Sequence, residues 1–152
     1  MIRYYYSTSC NSCRKGRHWL KHHNLAFEEI NFVTHPPTRS ELLHMFYLSD
    51  DGPEALISKR CDTYKDLGVD TSRLTMDELV DFIQAHPQIL RRPLVVDQTH
   101  LQIGYNEDDI CQFLPRHIRQ AKLSLALDSL NTFAKTMSSD EVADEFSYLK
   151  NC

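Results

Sequence analysis

Hydrophobic and polar residues alternate at the start of the chain in the manner of a β-strand. Residues 2–6 read Ile-Arg-Tyr-Tyr-Tyr, so every second side chain shares a face, and a Ser-Thr-Ser turn follows. From Cys10 the apolar spacing becomes helical, which predicts a helix that runs to about His23. A second strand is predicted over residues 26–32. Strand, helix and strand over about thirty residues form a βαβ unit.

The stretch from residue 36 to residue 88 has the pattern of a helical insertion. It opens with two prolines and contains two capping boxes, which predict helices that begin after Thr38 and Thr75. Between these helices Asp-Gly-Pro ends the first helix at Gly52 and starts another helix with Pro53 at its first position. The insertion therefore interrupts two parts of the chain that form the sheet.

After the insertion the pattern returns to short strands. Residues 94–96 and 101–103 are predicted strands of a hairpin, with Pro93 tolerated at the start of the first one. Asn106 begins a predicted last core helix that runs through Leu114 and stops at a proline. A helical tail is predicted over residues 116–136, with a short amphipathic segment after it.

This order of elements predicts an α/β fold with a mixed sheet and an inserted helical subdomain. We assign residues 1–35 and 89–120 to the core, residues 36–88 to the helical insertion and residues 121–152 to a helical C-terminal tail. The length of 152 residues suits one domain with an insertion. A composition of 41% hydrophobic and 25% charged residues excludes collagen-like and low-complexity chains.

Charge and cysteine content narrow the compartment and the class of partner. The five cysteines are an odd number, and the chain has neither a signal peptide nor an apolar stretch long enough to span a bilayer. We therefore expect a reducing, cytoplasmic location and no membrane partner. The net charge of −4 excludes a protein that binds nucleic acid by itself through phosphate neutralisation.

The candidate chemistry lies in the segment Cys10-Asn11-Ser12-Cys13, which follows a strand and opens a helix. The two cysteines are one helical turn apart, close enough for a disulfide. The helix N-terminus and the basic residues Arg14, Lys15 and Arg17 are expected to stabilise a thiolate at Cys10. Cys13 would then resolve a sulfenic acid or a mixed disulfide on Cys10.

Two other interpretations of this segment stay open at this point. The cysteines could be buried, inert thiols, because a C-x-x-C motif alone is not specific. They could also bind zinc with His18 and His22, although the spacer between the two pairs is far shorter than in common zinc fingers. We assign no metal site and no cofactor.

Four separated motifs together resemble the Spx family, which belongs to the larger arsenate-reductase-like (ArsC) group. The resemblance runs from Met1 to about Arg119 and implies a thioredoxin-like fold with a helical insertion. The motifs are Ser9 to Lys15, Ser49 to Gly52, His86-Pro87 with Leu90 to Pro93, and Gly104 to Asp108.

The resemblance implies a regulator and not an enzyme. Spx-type proteins bind the C-terminal domain of the RNA polymerase α subunit and redirect transcription during thiol-oxidative stress. It implies a redox disulfide between Cys10 and Cys13, with Arg92 as the partner of an anion or thiolate at that site. The polymerase-binding positions that it implies are Tyr47, Gly52 and Arg60.

The chain also departs from the family pattern at three places. Tyr47 stands where relatives often carry a basic residue, and Asp62 stands where a basic side chain would help approach promoter DNA. Because a carboxylate repels phosphate, we expect promoter contact to be indirect. The last residues, 148–152, differ from the small, uncharged tails that the Clp protease machinery recognises in relatives, so turnover by this partner is expected to differ.

Two enzymatic alternatives remain beside the regulator. An arsenate reductase would use Cys10 as a nucleophile and needs several arginines around the oxyanion. Arg92 and Arg60 qualify, but the stretch where a third is expected, residues 105–108, is acidic, and Cys13 would trap Cys10 as a disulfide. A thiol-disulfide oxidoreductase of glutaredoxin type needs no such large insertion. We rank the regulator first, the reductase second and the oxidoreductase third.

Overall fold

The structure is a computed structural model that describes residues 1–148, with the side chains of residues 1–137. It divides into two units, Met1–Phe113 and the segment from Leu114 onward. The terminal residues 149–152, with the atypical end of the tail and Cys152, lie outside the described residues. None of the described helices combines the length and the apolar character needed to cross a bilayer.

A four-stranded mixed sheet forms the centre of the first unit. Its strands are β1 (Ile2–Tyr6), β2 (Phe27–Asn31), β3 (Leu94–Val96) and β4 (Leu101–Ile103), in the spatial order β2-β1-β3-β4. The β1–β2 pair is parallel and the other two pairs are antiparallel. The predicted βαβ unit and hairpin are therefore confirmed, and together they form the predicted mixed sheet.

The crossover helix α1 (Asn11–His22) joins the two parallel strands. Cys10 is its N-cap residue, with extended backbone angles, and Asn24 follows the helix with a φ of 51°. The predicted helix from Cys10 to about His23 is confirmed. Its buried side consists of Cys13, Gly16, Trp19 and Leu20.

Three helices form the insertion: α2 (Arg39–Leu48), α3 (Asp62–Leu67) and α4 (Met76–Ala85). The capping boxes at Thr38 and Thr75 are both present, with the threonine and glutamate side chains bonded reciprocally to the backbone. Each box satisfies amide groups that the first turn of a helix leaves without partners.

Two predicted helices are short 3₁₀ turns instead. After Pro53 only Pro53–Leu56 is helical, because Ile57 turns extended and forms a β-bridge with Leu90. The predicted last core helix is a 3₁₀ turn over Asp109–Phe113, and Pro115 accounts for its end before Leu114, because proline disfavours helical geometry in the preceding residue. The long helix α5 (Arg116–Tyr148) then runs without a break, where a helix and a separate segment were predicted.

The two faces of the sheet pack against different helices. Tyr5, Leu94 and Val96 belong to a buried cluster with residues of α2 and α4, such as Leu42 and Ile83. The neighbouring strand residue Tyr4 faces α1, where its ring approaches Gly16. The first unit is thus a layered α/β structure whose inserted helices cover one side of the sheet.

Backbone hydrogen bonds join the residues around Ile57 to the residues that precede β3. The amide of Ser58 donates to the carbonyl of Ile89 and the amide of Arg91 donates to that of Leu56, both at 2.7 Å. The peptide bond between Arg92 and Pro93 is cis. The residues just after Ile57 therefore lie beside those that lead into β3.

Candidate functional site

Cys10 and Cys13 meet at the N-terminus of α1. The backbone amide of Cys13 donates to the Cys10 sulfur across 3.3 Å, so the Cys10 side chain caps the helix. Cys10 is partly exposed, whereas Cys13 is buried, with only 3% of its surface exposed to solvent. A partly exposed sulfur beside a buried one suits a pair in which one thiol meets the oxidant and the other completes a disulfide.

The buried position changes the chemistry of Cys13. Burial raises the pKa of its thiol to about 12, and the Cys10 side chain acts in the same direction. A hydrogen bond from the Ser7 backbone and the charge of Arg92 oppose this rise. Cys13 is therefore a protonated thiol at neutral pH.

Tyr4 of β1 hydrogen bonds to the backbone carbonyl of Cys13. The Tyr4 hydroxyl donates to that carbonyl at 2.5 Å, and burial raises the pKa of the phenol. Gly16 lies one turn further along α1, where a β-carbon would come within 2.7 Å of the Tyr4 hydroxyl oxygen. The absence of a side chain at Gly16 is what allows α1 to approach β1 so closely.

The basic residues predicted to surround Cys10 are only partly available. A small cleft of 280 Å³ at the cysteines includes Arg14 and Arg17 but not Lys15. Arg14 hydrogen bonds to Asn11, and Arg17 forms an ion pair of 2.9 Å with Glu29, which also lines the cleft. The carboxylate of Glu29 offsets part of the positive charge that the sequence places near Cys10.

Arg92 lies close to the turn that precedes the cysteines. Its Nη1 donates to the hydroxyl of Ser7 at 3.0 Å, and Ser7 lines the cysteine cleft. Arg92 also lines a second, larger cleft of 760 Å³, together with Arg60. The further charged residues of this second cleft are Asp51, Glu54, Lys59 and Arg91.

The three predicted polymerase-binding residues lie in the insertion but not in one cleft. Tyr47, near the end of α2, is 86% exposed, and Arg60 is exposed at the second cleft. Gly52 has a φ of 79° and open space where a β-carbon would point. Of the predicted residues, the structure brings Arg92 to the cysteines and Arg60 to Arg92, whereas Tyr47 and Gly52 lie outside both clefts.

Several residues of the site were missed at the sequence level. Ser7 accepts a hydrogen bond from Arg92 in the turn before the cysteines. Glu29, on β2, forms an ion pair with Arg17 of α1. The position of Ser7 immediately after a strand was an available signal, but its partner lies 85 residues away. Within residues 1–137, no group of three or more histidine, cysteine or carboxylate side chains is arranged to hold a metal ion.

Comparison with known proteins gives consistent matches. The chain matches the model of the ArsC family over residues 5–113. It is 44% identical over 128 residues to the global transcriptional regulator Spx 1 of Lactococcus lactis, covering 84% of this chain and 100% of that protein. It is 40% identical over 131 residues to the global transcriptional regulator Spx of Listeria monocytogenes, covering 86% of this chain and 100% of the relative.

Solved structures share the fold at lower identity. A Staphylococcus aureus protein solved by solution NMR superposes with a TM-score of 0.66 at 24% identity, covering 74% of this chain and 97% of its own. An arsenate reductase from Vibrio cholerae gives a TM-score of 0.64 at 22% identity, with the same coverage. These likenesses confirm the predicted thioredoxin-like fold class.

Proposed function

The chain belongs to the ArsC family, in which it is one of the Spx transcriptional regulators, and we propose that it responds to thiol oxidation. In this proposal it binds the C-terminal domain of the RNA polymerase α subunit and redirects transcription under thiol-oxidative stress. The observation that carries the redox part is the unequal pair at the start of α1. A partly exposed Cys10 accepts a hydrogen bond from the amide of a buried Cys13.

The proposed switch is a two-electron oxidation of this pair. With hydrogen peroxide as the oxidant, the Cys10 sulfur attacks one peroxide oxygen, forms a sulfenic acid and releases water. The Cys13 sulfur then attacks the Cys10 sulfur, the S–O bond breaks, and the thiol proton leaves with the hydroxide as a second water. The burial that keeps Cys13 protonated slows this second step, because the thiolate is the attacking form.

Arg92 offers a route from the cysteines to the insertion. Its charge opposes the rise in the pKa of Cys13, and its guanidinium donates to Ser7 in the turn that precedes Cys10. The same residue lines the second cleft with Arg60. We propose that disulfide formation changes the hydrogen bond between Arg92 and Ser7. The positive charge of Arg92 then takes a different position in this cleft.

The proposed contact with α uses Tyr47, Gly52 and Arg60. An exposed aromatic side chain and an exposed arginine are the residue types enriched at protein interfaces. Gly52 lets a partner backbone come close, because the space next to its α-carbon is open. Asp62, whose side chain is 96% exposed, lies two residues beyond Arg60 and repels DNA phosphate, which supports promoter contact through polymerase alone.

A binding titration with the isolated α C-terminal domain tests the partner. We expect binding to the intact chain and a loss of about 100-fold or more in Gly52→Arg, since a large side chain would block the close approach. The matched control is Gly68→Arg. Gly68, which is not among the proposed interface residues, also has a positive φ, 62°, and open space. Its αL backbone strains an added side chain less than the φ of 79° and ψ of −177° at Gly52, so thermal melts of both variants accompany the titration.

The same titration, repeated with reduced and with diamide-oxidised chain, tests the switch. Absence of binding in both states would contradict the partner assignment. Equal affinity in both states would contradict redox control of this contact while leaving the partner in place. Equal loss of binding in Gly52→Arg and Gly68→Arg, with lowered thermal melts in both, would remove Gly52 from the interface.

A further inference from the structure

The described part of helix α5 carries large apolar side chains that are exposed to solvent. Leu123, Leu127, Leu130, Phe133 and Met137 each keep between 51% and 64% of their surface exposed. Isolated exposed apolar residues are common, but five of them on one helix face form a continuous patch of the kind that marks an interaction surface. With Ala126 and Ala134 between them, we call this face the α5 stripe.

The spacing of the α5 stripe is that of a helix seam. Its members recur at intervals of three and four residues, the period with which two helices pack knobs into holes. At 100° per residue the stripe covers about 120° of the helix surface, the width of one packed face. Leu125 is equally exposed, at 68%, but it points to the opposite side of the helix.

The order of large and small side chains along the α5 stripe is symmetric about Leu130. Large side chains lie three and seven residues away on each side, and the alanines lie four residues away on each side. An isologous twofold interface requires this self-complementarity, because residue i then contacts residue j and residue j contacts residue i. A second copy of the helix, laid antiparallel across Leu130, therefore meets large positions with large ones and alanine with alanine.

The charge order along α5 favours the same antiparallel arrangement. The first turns carry three basic residues and no acid, whereas the sequence places four acids near the helix end. The basic residues are Arg116, Arg119 and Lys122, and the acidic ones are Asp140, Glu141, Asp144 and Glu145. Antiparallel pairing brings the basic start of one helix beside the acidic end of the other, and parallel pairing would place like charges together.

We propose that the α5 stripe is a self-association surface through which two copies of this chain pair as an antiparallel helix dimer centred on Leu130. Five large side chains and two alanines from each copy bury roughly 1,000–1,200 Å² in total, the lower end of the range for specific interfaces. The dimer therefore exchanges with monomer and depends on protein concentration. It carries two copies of the Met1–Phe113 unit in one particle.

Sedimentation equilibrium on the full chain, with Leu130→Glu and the matched variant Leu125→Glu, tests the surface. We expect the unaltered chain and Leu125→Glu to dimerise with similar, micromolar dissociation constants. Leu130→Glu places two carboxylates opposite each other at the twofold axis and is expected to weaken the dimer by roughly 100-fold or more. Circular dichroism of both variants checks that the helix content is unchanged.

A cross-linking arm tests the direction of pairing. Leu123→Cys and Met137→Cys are prepared separately, and each alone should give no disulfide between copies at the new cysteine. When they are mixed and treated with diamide, antiparallel pairing predicts a disulfide between position 123 of one copy and position 137 of the other, identified by peptide mass mapping.

Three results would overturn the proposal. The first is a chain that remains monomeric from about 1 to 100 µM, because a dimer with a micromolar dissociation constant would be populated at the top of this range. Leu125→Glu could weaken association as much as Leu130→Glu does. A disulfide between two copies of Leu123→Cys, without one in the mixture, would indicate parallel helices instead.

Discussion

At the scale of single residues, the cysteine pair is defined by how differently its two sulfurs are placed. Cys10 caps a helix at the surface, and Cys13 lies beneath it among Tyr4, Gly16 and the rest of the packed face of α1. Burial disfavours the charged form of a thiol, which is why the inner sulfur stays protonated. The order of events at the pair follows from this difference, since the outer sulfur is the one that reagents reach.

The first prediction concerns this order. In the reduced chain, iodoacetamide near neutral pH should alkylate Cys10 at least about tenfold faster than Cys13, because the thiolate is the reactive form and Cys13 is buried with a pKa of about 12. Diamide should then give a Cys10–Cys13 disulfide that dithiothreitol reverses. In Cys13→Ser, peroxide should leave a sulfenic acid on Cys10 that dimedone traps.

Peptide mass mapping measures all three outcomes. Alkylation of Cys13 at the rate of Cys10 would show that the inner thiol is accessible, contrary to its burial. A diamide disulfide that joins either cysteine to Cys61 or Cys111 would contradict the switch itself.

The second prediction concerns the contact between Gly16 and Tyr4. Gly16→Ala should destabilise the fold by about 1–3 kcal/mol, because its β-carbon would overlap the buried Tyr4 hydroxyl. Tyr4→Phe should itself cost about 1 kcal/mol by removing the bond to the Cys13 carbonyl. Since it also frees the space, the double variant should be more stable than the sum of the two losses predicts, by about 1 kcal/mol.

Urea denaturation of the four proteins in this cycle gives the coupling between the two sites. Strictly additive losses would mean that the neighbouring backbone yields around the added methyl group, and that Gly16 is not required for the approach of α1 to β1.

At the scale of elements, what the sequence predicts well is what neighbouring residues decide. Capping boxes involve residues three apart, so Thr38 and Thr75 identify two helix starts directly. The 3₁₀ turn after Pro53 was not predictable, because the bridge from Ile57 to Leu90 that ends it joins distant parts of the chain. The same holds for the site, where the cysteines were predictable but the bond from Arg92 to Ser7 depends on how β1 and β3 pack.

The third prediction tests the capping box of α4 by pH. The Thr75 backbone amide and hydroxyl donate to Glu78 at 2.8 and 2.9 Å, and they lower the pKa of its carboxyl below 4.5. A carboxyl whose pKa is lowered by folding stabilises the fold above its unfolded pKa and loses that contribution as the pH falls through its folded pKa. Glu78→Gln should therefore be less stable than the unaltered chain at about pH 6, and the gap should close below about pH 4.

Thermal melts across this pH range measure the gap. The control is Asp81→Asn, which removes an exposed carboxylate from the same helix outside the capping box. A gap that is constant with pH would show that the glutamine amide differs from the carboxylate in packing and not in charge. A similar pH dependence in Asp81→Asn would assign the effect to the general charge of the helix.

At the scale of the whole molecule, the charges around the cysteines bear on the choice between the proposed regulator and an arsenate reductase. The likeness to arsenate reductases lies below 25% identity and extends to the fold alone. An oxyanion site requires cations that are free to converge on the nucleophile. Here Arg17 is paired with Glu29 beside the cysteines, and Lys59 is paired with Glu54 at 2.5 Å in the second cleft.

In the described part of the chain, the cations left at the cysteine cleft without a carboxylate partner are Arg14, which binds the neutral Asn11, and Arg92. Arg92 is held by Ser7, and Asp51 shares its cleft, so the local charge is mixed. Cys13 also competes for any oxidised or substituted Cys10, because its amide already binds the Cys10 sulfur at 3.3 Å.

We therefore predict that arsenate-dependent NADPH consumption, with glutathione and glutaredoxin or with thioredoxin and its reductase supplied, stays at the rate measured without the protein. Turnover that is clearly above this rate and disappears in Cys10→Ser would establish the chain as a reductase and reverse the order of the two functions.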